Sequence, residues 1–468
     1  MVGSAGSPKG SPSLRRAGLY LLFGALLLGT LLRGGYFPVP KWTFALLLLL
    51  AGAAEVAVVA AYKELSLPRT PLFWLFAAFS AFAAVSGAWS AAPGETLRES
   101  VLLFGLLAAG YTVLSQLRCR RTETVDLIAA GVVYTTAFAS AWGITSFIIR
   151  MQPYSGYVDG FLRAGSTFEY SNALSCFGLM GLPVTFAMLK RSSPRDRPLF
   201  GLALGLETAA VLLSYARFGY VILFFLSLYF IVSAAKLRPA VFVSLAAGIA
   251  AAVAAAAAEE SSLPTVGFFA VIAIFGCVWV LQPLLATEAE RDARRRARLA
   301  EGAAAVAVGI GALLILKTGR LRQIVTTRFG QGMEPSHLVP HRLDTYRGAL
   351  DAFRIHPLAG FGLGSFAGVY RRYAIASYTK FAHNLVLQTA VDTGIIGAAL
   401  MSAWLALAVA LSIWRLAAAR AEPLARAFAI STLVFIAYNM FDWEWYVPAL
   451  AGWFVVGLMV VATPDRPE

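Results

Sequence analysis

The stretch YTKFAHNLVLQTAVDTGIIG (378–397) sets His383 beside Asn384 where a charged segment gives way to a long apolar one. His383 is one of 4 histidines in 468 residues. An imidazole that titrates near neutrality can take the proton of an attacking hydroxyl, a role that contributes a factor of about 10²–10⁴ in rate. The plainer role at such an edge is an interfacial anchor. Asn384 either orients that imidazole or caps the helix that follows. A second candidate is Arg217 in LLLSYARFGYVILFF, an arginine set between two apolar runs. Its guanidinium either snorkels to the headgroups or reaches into an outward-facing cavity, where its planar fork can hold a phosphate.

Further polar residues cluster in three segments. VPHRLDTYRGALDAFRIHPLAGFGLGSF reads as an amphipathic helix after Pro340. Leu343, Tyr346, Ala349, Leu350 and Phe353 lie on its apolar side, Arg347 and Arg354 opposite, and Pro357 ends it. Such a helix lies on a membrane surface. GFGLG (Gly360, Gly362, Gly364) permits a tight turn or a close backbone approach to a ligand, and it lacks the strand and helix of a dinucleotide fold. His337 and His341 have metal-pair spacing, but Pro340 between them and the lack of a carboxylate favour plain loop histidines. His356 reads as a helix-end residue. YNMFDWEWYVP (438–448) combines the interface anchors Trp443, Trp445 and Tyr446 with the acids Asp442 and Glu444. RMQPYSGYVDGFLRAGSTFEYSN (150–172) mixes aromatic and small polar residues with Arg163, a surface suited to sugars.

The elements that must position these residues follow from composition. Hydrophobic residues make up 59% and charged residues 14%, with a mean hydropathy of +0.71, which is too apolar for a water-soluble domain. The chain reads as an all-α polytopic integral membrane protein. Its net charge of +14 is dispersed in short clusters between apolar runs, so it reports topology rather than nucleic-acid binding. Lys9, Arg15 and Arg16 before the apolar run at Ala17 resemble a signal peptide, but no small-residue cleavage site follows, and a retained first span is expected. Cys119 in a basic loop, with Cys176 and Cys277 in apolar runs, supports neither a disulfide framework nor a thiolate metal site.

At roughly 20 apolar residues per crossing, the sequence divides into about fourteen spans, with twelve as a lower bound. The positive-inside rule places both termini in the cytoplasm, because a clear majority of the 39 Lys and Arg then fall on the inner side. Most of the remainder lie between Lys317 and Lys380. Three regions are expected: an N-terminal transmembrane bundle at 1–317, a large extracytoplasmic loop at 318–383 and C-terminal transmembrane helices at 384–468. His383, Arg217, Asp442 and Glu444 then share the outer side.

The run HRLDTYRGALDAFRIHPLAGFGLGSF…FAHNLVLQTAVDTGIIGAAL (341–400) resembles the signature region of the O-antigen ligase and polymerase family. Arg342, Pro357, Gly360, Gly362, Gly364, Phe366, His383, Asn384, Gly394 and Gly397 fall on its pattern. LLLSYARFGY is similar to another family segment, keeping Arg217 while Ser214 and Ala216 depart. RAGSTFEYSNALS (163–175) is similar to a third, keeping Gly165, Phe168 and Asn172. The resemblance implies a GT-C-like, metal-independent, inverting glycosyltransferase that needs no cofactor. It implies an undecaprenyl-diphosphate-linked glycan as donor and a saccharide or lipid-linked saccharide as acceptor, at the outer face of the bacterial cytoplasmic membrane. His383, Arg342 and Arg217 would be catalytic, with Arg217, Arg342 and Arg347 on the diphosphate. Asn384, Arg163, Asn172, Gly362, Asp442 and Glu444 would be supporting or acceptor-side residues, among membrane lipids and without nucleic acid.

The chemistry agrees with that implication. The diphosphate is already a good leaving group, so fixed cations that neutralise its developing charge and a base for the acceptor hydroxyl suffice. Ligase and polymerase differ only in acceptor; the span count and the FDWEW loop depart from the ligase pattern and tilt the reading toward polymerase. A transporter or lipid-linked-sugar flippase is the competing class. It calls for ionisable groups at span centres or paired broken helices, whereas these gather on one face. A non-catalytic membrane scaffold is the third.

Overall fold

A computed structural model of the protein describes residues 16–61, 67–158, 161–234, 237–261, 263–284, 340–375, 378–418 and 421–464. Residues 285–317 of the expected N-terminal bundle and 318–339 of the expected loop, His337 among them, lie outside the described residues, as does the side chain of His341.

In a bilayer no water is available to the backbone, so an apolar run closes its N–H and C=O groups on itself as a helix. In chain order the helices are α1 (Ala17–Leu31), α2 (Pro38–Ala61), α3 (Pro71–Val85), α4 (Pro93–Ile148), α5 (Ser171–Arg191), α6 (Arg197–Leu213), α7 (Arg217–Ser233), α8 (Arg238–Ser261) and α9 (Pro264–Leu284), followed by α10 (Pro340–Ile355), α11 (Phe366–Tyr370), α12 (Leu385–Ala417), α13 (Pro423–Asn439) and α14 (Pro448–Ala462). A two-stranded antiparallel hairpin, β1 (Ser155–Val158) and β2 (Phe161–Ala164), lies between α4 and α5. Among the described residues, 7 helices are long and apolar enough to cross a membrane. Pro71, Pro198, Pro423 and Pro448 sit in the first turns of α3, α6, α13 and α14, where a missing N–H costs no intrahelical bond.

Two boundaries differ from the sequence expectation. The basic run RCRR (118–121), expected as a loop between two spans, is a single interruption at Arg120 (φ −147°, ψ 59°) within the 56 residues of α4. The first of the transmembrane helices expected in 384–468 is broken at Gly394 (φ 65°, ψ −169°), a conformation that only glycine adopts without strain. Residues 395–417 alone suffice to cross a bilayer. The nine residues before the break therefore form a separate short helix that carries His383 at its entry.

The chain divides into two compact units. The first comprises residues 1–128, 344–420 and 445–468. In it α1 packs on α2 and α14, and α12 packs on α3 and α14. Its aromatic centre includes Trp404, fully buried and stacked on Phe76 with centroids 4.6 Å apart. The backbone groups released by the break in α12 are taken up by the glycine-rich turn. Phe361 N–H donates to Val391 O at 3.1 Å, Gly362 N–H to Asp392 O at 2.7 Å, and Ile395 N–H to Pro357 O at 2.8 Å. Asp392 Oδ1 accepts from the Phe366 N–H at 2.7 Å. Gly360, at φ +66°, allows this docking, since a Cβ there would stand 2.5 Å from the Asp392 carbonyl. The close approach made by this turn is thus to the chain itself.

Helix α10 forms where the amphipathic helix is expected, but its buried stripe is Thr345, Gly348, Ala349 and Ala352. Leu343 and Leu350, expected on the apolar side, are exposed. Small residues win because Gly348 lies against the Tyr373 backbone and the Tyr370 ring, which leaves no room for a leucine.

The second unit comprises residues 129–343 and 421–444. Helix α6 packs on α5, α8 and α9, and α13 packs on α5. Fully buried Glu207 of α6 accepts through Oε1 from Thr136 Oγ1 and, at 2.9 Å, from Thr185 Oγ1, so hydroxyls of two neighbouring helices hold one oxygen of an acid at span depth.

Candidate active site

The second unit gathers most of the polar residues singled out in the sequence around one carboxylate. Asp442 is 3% exposed, in the turn after α13. It accepts from the Tyr170 hydroxyl at 3.0 Å through both oxygens, from the Asn172 amide, and from the Trp443 N–H at 3.1 Å. Arg342 Nη2 stands 3.8 Å from Asp442 Oδ2. On the far side of Asn172, its Oδ1 accepts from Arg163 Nη2 at 2.7 Å. Arg163 Nε in turn donates to the Ser214 carbonyl at 2.7 Å.

Local structure explains how each residue arrives. Arg163 projects from β2, whose pairing with β1 sets Gly156 opposite it. Tyr170 is the extended residue capping α5, and Asn172 follows in the first turn. Ser214 closes α6, and its hydroxyl accepts from the Ala216 N–H at 3.2 Å, shaping the turn from which α7 departs with Arg217 as its first residue. Arg163 thereby ties that turn to the Asn172–Asp442 network. Trp443 stacks on Tyr170 with centroids 4.3 Å apart at 24°.

The network is electrostatically taut. Burial, and then the neighbouring Asp442 charge, push the Tyr170 phenol well above its usual range. Burial, and then Asp442, likewise hold the Glu444 carboxyl well above the carboxylate range, with Arg342 opposing. Glu444 is fully buried, and among the described residues neither carboxyl oxygen has a side-chain hydrogen-bond partner.

Helix α7 also borders an apolar cavity of about 300 Å³, shared with α6 and α8. Tyr220, Phe224 and Ile231 line it, and they follow Arg217 at helical spacing on one face.

In the first unit His383 has φ +52°, in the left-handed region where non-glycine residues are uncommon. Three braces hold it. The Tyr346 hydroxyl donates to the His383 carbonyl at 3.1 Å, and Gln388 Oε1 accepts from the Ala382 N–H at 2.9 Å. Asn384 Oδ1 accepts from the Leu387 N–H at 2.9 Å, the cap that the sequence offered as one of its two roles. The imidazole Nε2 is 3.5 Å from Thr379 Oγ1. Arg347 is largely exposed and meets Asp344 on its own helix at 3.4 Å. Gly362, at φ +97°, is packed against Ser90. His356 stands edge-on to Phe361 just past the end of α10.

Sequence reasoning brought out Arg163, Asn172, Arg342 and Asp442, and the structure joins them. It missed Tyr170, Gln388 and Thr379 as partners. Tyr170 had a signal, standing two residues before Asn172 in GSTFEYSN. Gln388, a polar residue in the first apolar turns of α12, had one too.

The long apolar helices among the described residues are those of an integral membrane protein that crosses the bilayer several times. Residues 247–402 match the family model described as O-antigen ligase. The resemblance read at 341–400 falls inside the matched residues. The match supports an O-antigen ligase or polymerase role in polysaccharide assembly. No curated protein matches the chain.

Proposed function

We propose that this chain is a glycosyltransferase of the bacterial cytoplasmic membrane. It moves a glycan from undecaprenyl diphosphate to a saccharide hydroxyl on the extracytoplasmic side, as polymerase or ligase, in assembly of O-antigen, capsule or exopolysaccharide. The observation that carries this reading is the His383 backbone, held at φ +52° by Tyr346, Gln388 and the Asn384 cap, within the residues matched to the family. Such conformations cost of order 1–3 kcal/mol and concentrate at functional sites, where surrounding contacts over-determine them.

In the proposed step the bond between the sugar C1 and the diphosphate oxygen breaks, and its electron pair leaves with undecaprenyl diphosphate. The acceptor oxygen bonds to C1 from the opposite face, and its proton passes to the His383 imidazole. Arg217, Arg342 and Arg347 are assigned to the diphosphate, whose charge rises as the bond breaks. Asp442 supports this assignment for Arg342, since a carboxylate held by Tyr170 and Asn172 fixes the guanidinium without enclosing it. The cavity running along α7 from the Arg217 end suits a prenyl chain with its phosphates at the guanidinium. Arg163, Asn172 and Glu444 are assigned to support the network, Asn384 to cap α12, and Gly362 to the turn beneath it. No nucleotide enters the step.

The test is transfer in proteoliposomes given an undecaprenyl-diphosphate-linked glycan and a saccharide acceptor. Longer or transferred glycan with release of undecaprenyl diphosphate, without added nucleotide or metal, supports the enzyme. Movement of the lipid-linked glycan across the bilayer without bond formation supports a flippase instead.

A further inference from the structure

Two exposed cations of the first unit are set on aromatic rings, and one of them, Lys380, stands three residues before His383. Lys380 Nζ donates to the Tyr36 hydroxyl at 3.1 Å and lies 4.9 Å from the centroid of that ring and 5.7 Å from that of Phe381. The Arg33 guanidinium lies 4.8 Å from the Phe37 centroid. The Tyr36 and Phe37 rings meet edge to face at 5.3 Å, so the two cations flank one aromatic pair. Phe381, stacked at 5.1 Å on Tyr446, anchors the pair from beneath.

The backbone that presents Arg33 is strained. Arg33, Gly34 and Gly35 have φ of +57°, +65° and +72°, three consecutive residues in the left-handed region. Gly35 is pinned there, since a Cβ would stand 3.1 Å from Pro448. An arginine that needed only to snorkel would not require this turn; any extended loop would let it reach the headgroups. Lys380 is three residues from His383, which limits their Cα separation to about 11 Å along the chain.

We propose that Arg33, Tyr36, Phe37 and Lys380 form an acceptor subsite, and that the acceptor it takes is an anionic saccharide bearing a carboxylate, such as a uronic acid. This rests on the transferase reading above. A pyranose presents an apolar C–H face to a ring and, when oxidised at C6, one negative charge at its edge. Two single cations, each on its own ring, match that pattern. A diphosphate calls instead for guanidinium forks converging on one point, and a bilayer headgroup requires no ordered aromatic pair.

The experiment uses the full chain in zwitterionic liposomes, with two acceptor oligosaccharides identical except for a terminal glucuronate or glucose. Wild type should show a KM about tenfold lower for the glucuronate acceptor, the scale of one charge-assisted hydrogen bond. The double variant Arg33→Gln/Lys380→Gln should bring the two KM values together, with kcat, donor KM and Tm unchanged. Equal wild-type KM values, an equal loss for both acceptors, or a rise in donor KM instead would each overturn the proposal. Saturation-transfer NMR of the same two oligosaccharides reads the preference without turnover. A retained glucuronate preference in a protein that consumes no donor would leave the subsite standing and sink the transferase reading; normal turnover without any preference would do the reverse.

Discussion

The Tyr346 hydroxyl donates to the backbone carbonyl of His383 at 3.1 Å, so a side chain of α10 holds the residue at the entry of α12 in its left-handed conformation. Tyr346→Phe removes that donor while keeping the ring. With about 1 kcal/mol at stake, kcat should fall roughly fivefold while both KM values stay put. An unchanged kcat in steady-state transfer assays would mean that the brace does not serve the chemistry.

Asp442 is the acceptor on which Tyr170, Asn172 and Arg342 converge. Asp442→Ala leaves those donors facing a gap at a buried position, at a cost of about 1–3 kcal/mol for each group left unsatisfied. Thermal denaturation in detergent should show a lowered Tm, and donor KM should rise as Arg342 loses its hold. Asp442→Asn, which keeps an acceptor oxygen for Tyr170, should lose less Tm but still weaken donor binding.

Glu444 is held above its unfolded pKa by burial and by Asp442. A raised folded pKa means that the folded protein binds the proton more tightly. The associated stability is therefore complete below the unfolded pKa, near 4.3, and is lost as pH rises through the folded value. Wild-type Tm should decline toward alkaline pH more steeply than that of Glu444→Gln, which cannot ionise. Parallel Tm profiles for the two proteins would show that Glu444 does not titrate on folding.

Gly394 breaks α12 at φ +65°, with its α-carbon pressed against the Leu358 backbone. Gly394→Ala combines a left-handed alanine with a backbone clash, so the yield of folded protein by size-exclusion chromatography should drop sharply. Gly276→Ala is the control, as no atom lies within 4 Å of a Cβ built there. Equal yields would argue that the break can be rearranged at little cost.

Most helices were legible because about 20 apolar residues have few alternatives in a bilayer. The break at Gly394 was not, since it depends on neighbouring chain rather than on local hydropathy. The buried face of α10 was misjudged for a related reason: Tyr370 and Tyr373 demand small residues, and periodicity alone favours leucines. At the site, Arg163, Asn172, Arg342 and Asp442 each stood out as polar residues in apolar company. Their junction did not, because Asn172 and Asp442 are 270 residues apart. Asn384 was readable as either cap or partner, and its bond to the Leu387 N–H shows the cap.

The central claim is that the His383 imidazole takes the acceptor proton. Its most direct test is single-turnover transfer from an undecaprenyl-diphosphate-linked glycan by His383→Ala and His383→Asn, the latter because asparagine tolerates positive φ. The account predicts a loss of at least about a hundredfold in both variants, with Tm within a degree or two of wild type. Near-normal turnover in either folded variant would contradict it.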